Sequence, residues 1–135
     1  MARVLVVDDD PAVRATVKLV LEREHHAVTV AADGRAALAA LAAGGIDLLV
    51  LDLFMPGMDG LETLREVRKH QPNLPVIVMS GAAIDGERTP TPDFLGMAVK
   101  LGAVRSVAKP FKPRDIIGAI AECLGGAAAG RGGAA

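Results

Sequence analysis

Short runs of Val, Leu and Ile, each closed by a polar residue, alternate with stretches of helical periodicity along this chain. No other feature restricts its fold as much. Val4-Leu5-Val6-Val7 stops at Asp8, Asp9 and Asp10, as expected of a strand buried on both faces. Asp10-Pro11 offers an N-cap followed by proline at the first helical position. Val13, Val17, Val20 and Leu21 then form one apolar stripe ending near Glu24. Ala27 to Ala31 reads as a second strand. Asp33 caps an Ala- and Leu-rich helix from Gly34 to about Ala43, which Gly44-Gly45 stops. Asp47 to Leu51 is a third strand, followed by a loop through Met58. Asp59 opens a helix to His70, with Glu62 in place for a capping box. Leu74 to Met79 is the fourth strand, Ser80 to about Pro92 a long loop, and Asp93 to Leu101 a helix. Val104 to Val107 is the fifth strand. Pro113 starts a last helix with Ile116, Ile117, Ile120, Ala121 and Leu124 on one face. Five strands alternating with five helices predict an α/β fold: a doubly wound, five-stranded parallel sheet covered on both sides.

A chain of 135 residues fits one domain. With three Phe and neither Trp nor Tyr, its core must be aliphatic. We expect the domain to span residues 1–124. The Gly/Ala-rich tail 125–135 lacks side chains to pack and is expected to be disordered. A net charge of −1 without a Lys/Arg run gives no reason to expect direct nucleic-acid binding. The single cysteine, Cys123, cannot form an internal disulfide and suits a reducing compartment. The apolar run after Arg3 is too short for a signal-peptide core, and none approaches the roughly 18 residues that span a bilayer. These features predict a cytoplasmic protein with no membrane partner.

In doubly wound sheets ligands bind beyond the carboxyl ends of the strands, and the polar residues concentrate there. Asp8 and Asp9 close the first strand, Asp52 the third, Ser80 the fourth and Lys109 the fifth. Carboxylates so gathered repel, each pair by about 4 kcal/mol at 4 Å with an effective dielectric near 20. They stay ionised together only around a cation, and all-oxygen ligands suit Mg2+ or Mn2+. Lys109 adds a positive point charge and Ser80 a hydroxyl donor. A carboxylate nucleophile, a divalent metal, a lysine and a hydroxyl are the set that holds an acyl phosphate.

The segments Val-Leu-Val-Val-Asp8-Asp9-Asp10-Pro, Leu-Asp52-Leu-Phe-Met-Pro56-Gly-Met-Asp59-Gly60, Val-Met-Ser80-Gly81 and Ala-Lys109-Pro110-Phe111 resemble the signature segments of response-regulator receiver domains. The likeness runs from about Arg3 to Leu124. It implies a chemotaxis-regulator-like (flavodoxin-like) strand order 2-1-3-4-5 and a signalling switch rather than an enzyme. Asp52 would be the phosphoacceptor, taking its phosphoryl group from a sensor histidine kinase or a histidine phosphotransfer protein and passing the signal to an unknown protein output partner. Asp9, Asp52 and the backbone carbonyl of Phe54 would bind the metal directly, with Asp8 acting through water. Ser80 and Lys109 would contact the phosphoryl group. The bond before Pro110 would be cis, and Gly81 would leave room for the phosphodonor. Two departures stand out. Ser106 occupies a position, three residues before the lysine, where the family usually carries Tyr or Phe. The stretch from Ser80 to Gly102 is also longer than the family norm, with Gly81, Gly86, Pro90 and Pro92 in it. A late start to the helix there, and an unusual output surface, are expected.

Each residue has a plainer reading. Asp8 to Asp10 alone would be a solvated turn, with Asp10 an N-cap; Ser80 alone would satisfy backbone; Lys109-Pro110 alone would be a turn. His25, His26 and His70 sit near helix ends as surface residues, and Cys123 is expected to be partly buried and inert. A rival from another class is a haloacid-dehalogenase-like phosphatase using Asp8 and Asp10 with Ser80 and Lys109. Pro11 directly after Asp10 and the lack of a late acidic pair speak against it. A flavodoxin-like flavin carrier is the third reading, opposed by the absence of Trp and Tyr.

Overall fold

The computed structural model describes residues 2–53, 60–81, 105–109 and 112–132. Their order is β1 (Arg3–Val7), α1 (Pro11–Arg23), β2 (Ala27–Ala31), α2 (Gly34–Ala42), β3 (Leu48–Asp52), α3 (Gly60–His70), β4 (Val76–Gly81), β5 (Arg105–Lys109) and α4 (Pro113–Gly132). All strand pairs are parallel, in the order β2-β1-β3-β4-β5. This is the expected doubly wound fold.

Alternation along each strand divides the core into two layers. Val4 and Val6 of β1, Leu48 and Val50 of β3, and Ile77 and Met79 of β4 meet Val17 and Leu21 of α1 and Ile116 and Ile120 of α4. The intervening Leu5, Val7, Leu49, Leu51, Val76 and Val78 meet Ala37 and Leu41 of α2 and Leu61, Leu64 and Val67 of α3. Strand residues buried on both faces explain why β1 and β3 read as continuous apolar runs rather than as alternating ones.

The expected caps form. Asp10 accepts from the Ala12 N–H at 2.8 Å, and Asp33 from the Ala36 N–H at 2.8 Å. Gly44 and Gly45, at φ 87° and 85°, end α2 as their composition predicts. The cap from Asp59, the helix over Asp93 to Leu101, and most of the long loop after Ser80 lie outside the described residues. Four elements end later than expected. Strands β3, β4 and β5 continue through Asp52, Ser80–Gly81 and Lys109, because main-chain pairing is indifferent to a polar side chain. Helix α4 runs past the expected end at Leu124 to Gly132. Ala127-Ala128-Ala129, of the highest helix propensity, oppose the breaking effect of the glycines there.

Helix α1 ends in a six-residue hydrogen-bonded motif that normally carries glycine. His26 N–H donates to Leu21 O at 3.1 Å and His25 N–H to Glu22 O at 3.0 Å, with His25 at φ 68°. A left-handed non-glycine residue costs roughly 1–2 kcal/mol. The extra unfolded-state entropy of glycine returns roughly 0.5–1 kcal/mol of that. His25→Gly is therefore expected to stabilise the fold by about 0.5–1 kcal/mol in urea unfolding.

His26 acts as an acceptor, its Nδ1 taking the Ala2 N–H at 3.1 Å beside the start of β1. Burial, then the nearby N-terminal amine, pulls its pKa below the ordinary 6.5. The unfolded chain thus binds the proton more readily than the folded one. The contribution of His26 is complete above about pH 6.5 and is lost as pH falls toward the depressed folded value. Unfolding midpoints measured between pH 5 and 7.5 should rise with pH over that window. His26→Asn, which can keep the acceptor without titrating, should flatten this part of the profile.

Candidate metal centre

Strand β1 lies between β2 and β3, so the chain winds in opposite senses on its two sides. The crevice between the carboxyl ends of β1 and β3 is the switch point where such sheets bind ligands. Val7 pairs with Leu51 in this register, which sets Asp8 beside Asp52 at that rim.

The carboxylates meet there. Asp8, Asp9 and Asp52 each offer an oxygen lying within 4.8 Å of those of the other two. Asp8 is 0% exposed and Asp52 3%, while Asp9 faces solvent. Two buried acids beside a third is an arrangement that like-charge repulsion opposes and a cation reverses. In an octahedral Mg2+ shell with bonds of about 2.1 Å, neighbouring oxygens stand about 3 Å apart and opposed ones about 4.2 Å. A spread of up to 4.8 Å is slightly wider than one such shell, so it suits a small divalent ion held directly by two of the acids and through water by the third, with the open side at Asp9 admitting further water.

The local chain explains the placement. The N–H of Asp8 donates to Ala31 O at 3.2 Å, its Oδ1 accepts from the Asp10 N–H at 2.9 Å, and its carbonyl accepts from Arg14 Nη1 at 2.7 Å. Asp52 pairs with Met79 across the sheet, and the next N–H, of Leu53, donates to Met79 O at 3.0 Å. Gly60 lies flat against this turn. Its N–H donates to Leu53 O at 3.2 Å, and a Cβ there would overlap the Leu53 Cα and the Asp52 carbonyl oxygen. Arg14 and Gly60 were not singled out for these roles in the sequence. Gly60 was visible only as part of a motif, and nothing in local spacing ties Arg14 to the carbonyl of Asp8.

The remaining candidates are placed by register. Met79 lies opposite both Asp52 and Val107; Ser80 is one residue further, opposite Ala108, and Gly81 is opposite Lys109. Ser80, Gly81 and Lys109 thus occupy the same rim of the sheet as Asp52. Ser106 pairs with Val78 and is exposed. Phe54 and Pro110 lie outside the described residues. Asp10, the second acid of the phosphatase alternative, spends its carboxylate capping α1 and is not in the acidic cluster, so that alternative loses its basis. Cys123 is buried, and burial raises its thiol pKa, which keeps it protonated and unreactive. Among the described residues, no helix is long and apolar enough to cross a membrane.

Known proteins resemble this chain in sequence and in fold. The response regulator receiver domain family matches residues 4–121. The transcriptional regulatory protein ResD of Bacillus subtilis is 32% identical over 115 residues, covering 85% of this chain and 45% of ResD. The chain spans about half the length of the curated relatives it matches. Among solved structures, the chemotaxis protein CheY4 of Vibrio cholerae superposes with a TM-score of 0.82 at 29% identity, covering 92% of this chain and 99% of CheY4. A CheY-like receiver domain protein of Methanospirillum hungatei gives 0.84 at 30% identity, covering 93% and 95%. The chain belongs to the response-regulator receiver domain family.

Proposed function

We propose that Asp52 accepts a phosphoryl group from a phosphohistidine on a sensor histidine kinase or a histidine phosphotransfer protein, and that the modified chain signals through a protein partner. The observation that carries this reading is the juxtaposition of Asp52 with buried Asp8 and exposed Asp9. Asp9 and Asp52, with the carbonyl of Phe54, would hold Mg2+ or Mn2+ directly, and Asp8 would act through water. Bound there, the ion supplies positive charge against the oxygens of the transferring group.

In the transfer an Asp52 carboxylate oxygen forms a bond to phosphorus as the P–N bond of the phosphohistidine breaks. The imidazole leaves and takes up a proton. Lys109 pairs with one phosphoryl oxygen as a point charge, and the Ser80 hydroxyl donates to another. Gly81, lacking a side chain, leaves the donor's approach open. Hydrolysis of the acyl phosphate returns Asp52 to its carboxylate, so the only chemistry is the chain's own phosphotransfer and dephosphorylation, in the cytoplasm where such kinases present their histidines. Ser106 is too small to fill the volume of an aromatic ring, so readout from Ser80 departs from the aromatic coupling usual in the family.

Intact-mass measurement after incubation with acetyl phosphate and Mg2+ tests the assignment. Wild type should gain one phosphoryl group. Asp52→Asn should gain none, and neither should wild type in excess EDTA. Equal gain in Asp52→Asn would overturn it.

A further inference from the structure

We infer that Arg14 is a positioning residue for the divalent metal, acting through the peptide between Asp8 and Asp9 and not by contact with the ion. The inference rests on the metal reading of the acidic cluster and adds a residue to it.

Arg14 spans the whole turn from β1 into α1. Its backbone N–H donates to Asp10 O at 3.1 Å, and its half-buried guanidinium reaches back to Asp8 O at 2.7 Å. The oxygen it holds belongs to the Asp8–Asp9 peptide. A peptide unit is planar, so fixing its oxygen fixes the direction in which the Asp9 Cα leaves the strand. Asp8 is anchored independently, through its own N–H to Ala31 and its carboxylate to the Asp10 N–H. Asp9 is the exposed member of the three acids. The guanidinium is thus the tether that converts a buried Asp8 into a correctly aimed Asp9.

Two consequences of this cation have opposite signs, which makes the inference decidable. As a positive charge near the cluster, Arg14 repels a divalent ion, so neutralising it would tighten metal binding if field alone mattered. As a tether, its removal lets the Asp8–Asp9 peptide rotate and weakens binding; loss of outer-shell partners of this kind typically costs 10–100-fold in metal affinity. A short hydrogen bond to a fixed carbonyl argues that the second effect wins, because solvent screens the field at the open side of the site and does not screen geometry.

The test is Mn2+ binding followed by electron paramagnetic resonance of the free ion, on wild type, Arg14→Gln, Arg14→Lys and Asp52→Asn, with melting curves on each. Arg14→Gln should raise the Mn2+ dissociation constant about ten-fold. Arg14→Lys, which keeps the charge but not the planar donor, should also weaken binding; because it retains the full charge, a merely electrostatic role predicts no change for it. An unchanged or lower dissociation constant in a folded Arg14→Gln overturns the inference. So does wild-type affinity in Arg14→Lys, which serves as the deciding variant if Arg14→Gln does not fold. Failure of wild type to bind Mn2+, or equal binding by Asp52→Asn, overturns the metal reading as well; normal loss in Asp52→Asn with none in the Arg14 variants overturns the tether alone.

Discussion

Gly60→Ala is expected to cost about 3 kcal/mol in urea unfolding and to abolish divalent-metal binding in whatever remains folded. The added Cβ would overlap the Leu53 Cα and the Asp52 carbonyl oxygen, and would stand 2.8 Å from the Leu53 carbonyl carbon. All three are backbone atoms at the end of a central strand, so no side chain can rotate away. Either α3 lifts from the sheet or the end of β3 moves. The first exposes Leu61 and Leu64, which are buried against Leu51 and Leu53. The second carries Asp52 away from Asp8 and Asp9. Alanine gains at most about 1 kcal/mol of helix propensity over glycine, and at the first residue of α3 it gains less. The clash therefore decides the sign. Unfolding midpoints and Mn2+ titration on the same sample measure both effects; wild-type stability in Gly60→Ala would show that α3 does not sit as closely on Asp52 as described.

The second large effect reverses with conditions. Asp8→Asn removes one of two buried charges while Asn Oδ1 still accepts the Asp10 N–H. A like-charge pair at 4 Å is worth about 4 kcal/mol at an effective dielectric of 20. Neighbouring groups and solvent offset much of it, so the metal-free variant is expected to be more stable than wild type by about 1–2 kcal/mol. With Mg2+ the order inverts. Ligand binding at a hundred times the dissociation constant stabilises the folded state by about 2.7 kcal/mol, and the variant loses most of that. Thermal melts in EDTA and in saturating Mg2+ should cross. Two parallel curves, with wild type always above or always below, would mean that Asp8 plays no part in holding an ion.

Much of the fold was legible because burial on both faces writes strands as uninterrupted apolar runs. Ala27–Ala31 and the starts of α1, α2 and α4 fall where the pattern puts them, since Asp10, Asp33 and Pro113 mark them chemically. The strand ends were read short because a polar residue looks like the end of a strand, whereas Asp52, Ser80 and Lys109 lie in the ladder itself. That error concerns the site, and its cause is physical: at the rim of a parallel sheet main-chain pairing continues past the last apolar residue. The acids were legible as a group because repulsion makes them improbable without a purpose. Gly60 and Arg14 were not legible, because one acts through the space it leaves empty and the other through a carbonyl contact six residues away that no residue pattern encodes.

The proposed function requires three carboxylates at the carboxyl rim of β1 and β3 to gather around one divalent ion beside Asp52. Crystals soaked in Mn2+ and measured for anomalous scattering test it most directly. One strong peak is expected, in bonding distance of oxygens from Asp9 and Asp52 and one water removed from Asp8. Anomalous density elsewhere on the surface, with the crevice between these acids empty at saturating Mn2+, would show that Asp8, Asp9 and Asp52 do not form a metal site.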